Sequence, residues 1–358
     1  MPAVPLAGRP SRWLLAVLAL VLSVLPRNLH ADPPVRPDAA VAVAFDRPFY
    51  MGVYLGDSES RTERIHGSLL RYTQMVGKRP ALVKTFHRPN EDFSAHGWSG
   101  QMVRRVISSG STPYLALDLN YPGAPRHGLL DGIMSGRADA YFTRMARGLA
   151  GAGGTVMVSP AWEMNGRWNF AWQGAFNGES RAPAKYRASF QRIVDIFRRE
   201  GANNVKWVFS PNVGNPYTNS ASGPAHWNWY GHYYPGDRYV DYLGPHGYNG
   251  PGVWNTVYKP FDALFDGFDA DRTLSDLERR FPGKPIIIGE FAAQEVRGYD
   301  KGLWIAQAFA ALRRHRSVVG AIWFNMDKET DWRINSSSSS LDAFRTAMRD
   351  PNVRTTFR

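Results

Sequence analysis

The chain of 358 residues contains no cysteine. That excludes a disulfide framework, a zinc–thiolate centre and a thiol nucleophile. Its nine histidines show no HExxH or other ligand spacing, so neither a metal nor a cofactor is expected. Acidic residues are the scarcer charge, 31 against 43 Lys and Arg, for a net charge of +12. Three of the basic residues, Arg9, Arg12 and Arg27, fall within the first 31 positions. The others are scattered and never interleave with a nucleic-acid module, so no nucleic-acid partner is expected. One apolar run stands out, Trp13 to Leu25, and it is shorter than the roughly 20 residues a membrane helix needs.

That run has a purpose of its own. Arg9 and Arg12 precede it, and Pro26, Arg27 and the segment ending Leu29-His30-Ala31 follow it. A basic start, a short apolar stretch and a polar break make a secretory signal, either cleaved or kept as an anchor. The expected organisation is a signal at 1–31, an extended segment at 32–45 and a single domain at 46–358. The location is then secreted or periplasmic, with no membrane association after cleavage, and the protein is expected to be a monomer.

From Asp46 the pattern alternates between strand and helix. Strands are expected at Phe49–Tyr54, Ala81–Phe86, Pro113–Asp118, Val156–Pro160, Lys206–Ser210, Val240–Gly244 (leading to Gly247), Pro285–Gly289 and Val318–Trp323. Helical spacing covers Ser58–Val76, Gly100–Ser109, Ala138–Ala150, Ala184–Glu200, Leu274–Phe281 and Gly302–His315. The stretch from Tyr248 to Asp271 is irregular, and the serine run Ser336–Ser340 reads as a surface loop. Short apolar strands alternating with helices imply a parallel sheet covered on both faces. Eight such units, with no Gly-rich nucleotide fingerprint after the first strand, imply an α/β fold of the (β/α)8 TIM-barrel class.

In such a barrel the chemistry sits at the C-terminal strand ends. The fourth strand runs into Glu163 and the seventh into Glu290, two titratable groups that follow apolar runs directly. Each alone could be a structural ion pair. Together they form a carboxylate pair, the minimum equipment for glycoside hydrolysis. If the pair works by double displacement, its carboxyl groups stand about 5–5.5 Å apart. Aromatic residues make up 13% of the chain. Of these, Trp162, Trp168, Trp172 and Trp323 fall near the same strand ends, where indole faces can stack on sugar rings. At least two of Trp168, Trp172 and Trp323 are expected to line the cleft.

Glu163-Met164-Asn165-Gly166, with Trp168 and Trp172 beyond it, resembles the acid/base motif of glycoside hydrolase family 26, the β-mannanase family of the retaining (β/α)8 clan. Tyr234-Pro235-Gly236-Asp237, Tyr239-Val240-Asp241 and Gly247-Tyr248-Asn249 resemble its sixth-strand region, and Pro285 to Phe291 its nucleophile strand. The motifs occur in the family's order from about residue 45 onward. The resemblance implies Glu163 as proton donor, Glu290 as nucleophile and Tyr248 as a hydrogen-bond donor to that nucleophile. It implies a polysaccharide or oligosaccharide substrate, β-1,4-mannan being typical. The family's usual His before the acid/base Glu is Trp162 here, and its frequent Arg is Ser159. This departure leaves open a mixed-linkage β-glucan, a β-1,3-xylan or a bacterial exopolysaccharide as substrate. A non-catalytic carbohydrate-binding barrel is the reading from another class. His87, Asn120 and Asn212, after the second, third and fifth strands, are candidate sugar contacts. His246 is either such a contact or a satisfied structural histidine.

Overall fold

The computed structural model describes residues 44–87, 91–217, 223–253, 257–267 and 273–357. The expected signal and most of the 32–45 segment lie outside the described residues. The elements run β1 (Phe49–Tyr54), α1 (Ile65–Val76), β2 (Leu82–His87), α2 (Trp98–Ser108), β3 (Thr112–Leu117), α3 (Leu129–Met134), α4 (Asp139–Ala150) and β4 (Val156–Pro160). They continue with α5 (Ala182–Arg199), β5 (Val205–Phe209), β6 (Tyr242–Leu243), β7 (His246–Asn249), α6 (Phe261–Phe265), α7 (Thr273–Arg280) and β8 (Ile286–Ala293). The last are α8 (Lys301–Arg314), β9 (Val318–Phe324), α9 (Ser338–Met348) and β10 (Val353–Arg354).

All described strand pairings are parallel, and the sheet closes on itself. Neighbours follow from β1 through β6 to β8, and β9 joins β8 back to β1. The sixth stave is split: β6 and β7 are separated by Gly244-Pro245, and both pair with β8. The result is a closed eight-stave barrel ringed by helices, with β10 added against the start of β1. Among the described residues no helix is long and apolar enough to cross a membrane.

Strand periodicity divides the core in two. Leu82, Tyr114, Met157, Val208, Ile287 and Ile322 pack inside the barrel. Their chain neighbours Val83, Leu115, Val158, Phe209, Ile286, Ile288, Ala321 and Trp323 pack outside it, among the helices. The serine run is not a loop throughout. Ser337 caps α9 by accepting from the Ser340 amide at 3.2 Å, and Ser338 to Ser340 form its first turn. Serine suits a helix start, and the buried Phe344, Ala347 and Met348 behind it supply the apolar face.

Candidate active site

Lys84 on β2 shares the inward face of Leu82 and is completely buried. Above that layer, β4 ends at Pro160 and the chain turns sharply. Ala161 and Glu163 both adopt the left-handed region, at φ 50° and 52°, where a non-glycine residue is strained. The turn is held from several sides. The Glu163 amide donates to Ser210 O at 2.7 Å, and the Glu163 carbonyl accepts from Gly166 N at 2.8 Å and Gln173 Nε2 at 3.0 Å. Asn165 joins this loop to the one after β5, donating to Asn212 O at 2.9 Å and accepting from Asn212 N at 2.8 Å.

Glu290 reaches the interior by a different device. Simple alternation would place it outward, with Ile286 and Ile288. Opposite β9, however, Ile288 pairs with Ala321 and Phe291 with Trp323, so one extra residue of β8 is accommodated between them. This β-bulge keeps Phe291 outside against Trp304 and Trp323 and turns Glu290 in. Gly289, also in the bulge, has to be glycine. A Cβ there would lie 2.6 Å from His246 Nε2 and 2.8 Å from Gly244 O.

Three groups converge on the two glutamates. Lys84 Nζ lies 2.6 Å from Glu290 Oε1 and also donates to Gly289 O at 3.0 Å. His246, the register partner of Glu290 across β7 and β8, places Nδ1 3.0 Å from Glu163 Oε1 and 3.5 Å from Glu290 Oε1. Tyr248, two residues further along β7, donates its phenol proton to Glu290 Oε2. One atom each from Glu163, His246 and Glu290 lie within 4.8 Å of one another. Both carboxylates are nearly withdrawn from solvent, at 8% and 4% exposure.

Burial by itself would raise the Glu290 pKa. The neighbouring His246 ring, the Lys84 ammonium and the hydrogen bonds from Lys84 and Tyr248 outweigh it and hold the carboxyl below its ordinary value. The same burial pulls the Lys84 ammonium below the usual lysine value, opposed by the two carboxylates. Burial and the neighbouring carboxylates push the Tyr248 phenol well up, so it remains a proton donor. By ligand type Glu163, His246 and Glu290 could hold a divalent cation. Lys84 already sits against Glu290 Oε1 and His246 Nε2, and a second cation beside it would be repelled. The donor set suits proton transfer.

The other predicted contacts divide. Trp162 precedes Glu163 and keeps 8% exposure, packed among Phe86, Phe170 and Trp172. Trp168 is half-buried, with its amide bound to Gln173 Oε1 at 2.8 Å. Asn120 and Asn212 are also half-buried, the first folded back on Asp118 and the second with its side-chain amide donating to Val213 O at 2.6 Å.

Three expectations are overturned. Trp172 is 1% exposed and backs the site from behind, its indole N–H donating to Trp162 O at 2.9 Å. Trp323 is fully buried outside the barrel against Phe291, Trp304 and Phe344, because its strand neighbours Ile322 and Phe324 take the inward positions. His87 also faces the helices, one position past inward Phe86; its ring is occupied by Thr85 Oγ1 at 2.8 Å and Glu91 Oε2 at 2.5 Å. Of Trp168, Trp172 and Trp323, only Trp168 keeps surface for a ligand. Lys84 was missed altogether, although a lone lysine in ALVKTF, in phase with Leu82 and Phe86, is a visible signal.

The signature of glycosyl hydrolase family 26 matches residues 137–288, a span that includes Glu163, His246 and Tyr248. The chain is a (β/α)8 barrel that carries the family 26 signature over that span. Among relatives, it is 34% identical over 301 residues to Endoglucanase H of Acetivibrio thermocellus, covering 83% of this chain and 30% of that protein. It is 28% identical over 217 residues to mannan endo-1,4-beta-mannosidase A and B of Caldalkalibacillus mannanilyticus, covering 55% of this chain and 37% of that one. The chain thus spans about a third of the length of these relatives. Among solved structures, the catalytic domain of the family 26 endo-beta-1,4-mannanase of Bacillus sp. JAMB-750 superposes with a TM-score of 0.61 at 19% identity, over 86% of this chain and 87% of that one. The likeness of fold extends over nearly the whole described barrel.

Proposed function

We propose that this barrel hydrolyses a β-linked polysaccharide by double displacement, with Glu290 as nucleophile and Glu163 as acid/base. The observation that carries the proposal is the 4.8 Å cluster of the two carboxylates and His246. Inverting enzymes hold their carboxyl groups roughly 6.5–9.5 Å apart to admit a water, and retaining ones about 5–5.5 Å; a pair with one oxygen of each inside 4.8 Å favours the retaining arrangement. In the first step Glu290 bonds to the anomeric carbon while Glu163 gives its proton to the departing glycosidic oxygen. In the second, water attacks that carbon, Glu163 takes a proton from it, and the bond to Glu290 breaks. Lys84 and Tyr248 keep Glu290 ionised and aimed. The strained turn at Glu163 fits a side chain held for a task.

The leading substrate is a β-1,4-mannan. A mixed-linkage β-glucan is the second reading, favoured by the greater identity to a relative named an endoglucanase and by Trp162 in place of the family's usual His. A β-1,3-xylan or a bacterial exopolysaccharide belongs to the same reading. The basic start and apolar run at the N-terminus support export, as a secreted or periplasmic monomer. The test is a polysaccharide panel assayed for new reducing ends, with Glu290→Ala as the blank. Turnover on mannan or β-glucan that disappears in Glu290→Ala is expected. Oligosaccharide binding without turnover on any glycan would make the protein a carbohydrate-binding barrel instead.

A further inference from the structure

In a dry site every proton needs an acceptor, so the protons around Lys84 can be counted. An ammonium carries three protons and no lone pair. Lys84 Nζ makes hydrogen bonds with Gly289 O at 3.0 Å and His246 Nε2 at 3.3 Å, and an ion pair with Glu290 Oε1 at 2.6 Å. Because Nζ can only donate, Nε2 is the accepting nitrogen of a neutral imidazole and the ring proton sits on Nδ1. That N–H points at the carboxylates, and only Glu163 Oε1, at 3.0 Å, is within hydrogen-bond distance.

We propose that Lys84 and His246 are positioning residues for the acid/base: Lys84 fixes the Nδ1–H tautomer of His246, and that N–H holds Glu163 Oε1, leaving Glu163 Oε2 to carry the catalytic proton. The proposal rests on the role of Glu163 given above. A proton on Oε1 would confront the imidazole N–H, so the acid form places it on Oε2. In the first step that proton leaves Oε2 as the glycosidic C–O bond breaks and the bond to Glu290 forms. In the second, a proton from the attacking water returns to Oε2 as the bond to Glu290 breaks. The imidazole neither gains nor loses a proton. His246 thereby supplies from β7 a polar contact to Glu163, which Trp162 beside it in the chain cannot make.

The surroundings contain few other ionisable groups. Tyr114, from β3, lies with its ring 4.9 Å from Lys84 Nζ, and Tyr248, from β7, is committed to Glu290. Ser159 and Ser210 bond each other at 2.7 Å. Glu163, Glu290 and Lys84 are therefore the groups whose charge His246 meets.

Two measurements test the proposal. In the full chain labelled with 15N-histidine, the His246 ring, identified by its loss in His246→Asn, should show a protonated Nδ1 and a bare Nε2 at pH 7. The Nε2–H tautomer or a doubly protonated ring would overturn the assignment. This measurement needs no turnover, so it stands apart from the failure of the hydrolase reading, which would show as inactivity of the wild type on every glycan. The kinetic arm compares aryl glycosides with poor and activated leaving groups. His246→Asn should lose ~100-fold in kcat/KM on the poor leaving group and under ~10-fold on the activated one, which needs little protonation. Lys84→Met should lose activity on both and move the acid limb of kcat/KM to higher pH, since Glu290 loses its cation. Equal losses in His246→Asn on both substrates would mean a structural role only. If either variant is unfolded by circular dichroism, the tautomer measurement on the wild type decides alone.

Discussion

Glu290 is ionised where burial alone would favour its neutral acid, because the Lys84 ammonium and the Tyr248 phenol stand at contact distance, with the His246 ring beside them. Its depressed pKa has a direct consequence for pH dependence. The nucleophile is present as carboxylate down to below the ordinary glutamate range, so the acid limb of kcat/KM falls correspondingly low. Tyr248→Phe removes one donor to the charged form and leaves the ring in place. The expected result is an acid limb displaced to higher pH and a kcat/KM lower by roughly 10–100-fold, the worth of one hydrogen bond to a charged group. A pH–rate profile superimposable on the wild type would show that the contact does not tune Glu290. At this scale the two carboxylates are legible in the sequence because each is an acid at the end of an apolar run. Lys84 shows in the sequence only as a lone basic residue in an apolar run, which carries no mark of its partner on a strand far along the chain.

For a strand, one residue of phase decides between cleft and core. The sequence locates the strands well: β1 and β4 match their expected ranges, and the others differ mainly at their ends. It does not show which alternate residues face inward. Consequently Trp323 reads as a cleft residue although Ile322 and Phe324 hold the inward phase, and His87 reads as a sugar contact although Lys84 and Phe86 do. The bulge at Gly289-Glu290 reverses the problem, since it brings inward a residue that alternation would send out. Trp323 gives the test of this reading. Truncation to Ala removes a buried indole and its bond to Trp332 O, which should cost about 3–5 kcal/mol of stability. In the fraction that remains folded, KM for the glycan should be unchanged. A raised KM with wild-type thermal stability would return Trp323 to the cleft.

The whole barrel is what makes the site. Lys84, Glu163, His246 and Glu290 come from β2, the turn after β4, β7 and β8, and only closure of the sheet through β9 onto β1 brings them together. That architecture followed from the alternation of short apolar strands with helices. The split of the sixth stave at Gly244-Pro245 did not, because a break so short leaves no trace in hydrophobic periodicity. Closure also fixes the spacing of the carboxylates, and that spacing implies a stereochemical outcome. The most direct test is therefore the anomeric configuration of the first product, followed by proton NMR from the start of hydrolysis of a β-linked glycan. Double displacement through Glu290 predicts that the β-anomer appears first and then mutarotates towards equilibrium. Initial formation of the α-anomer would contradict a covalent role for Glu290.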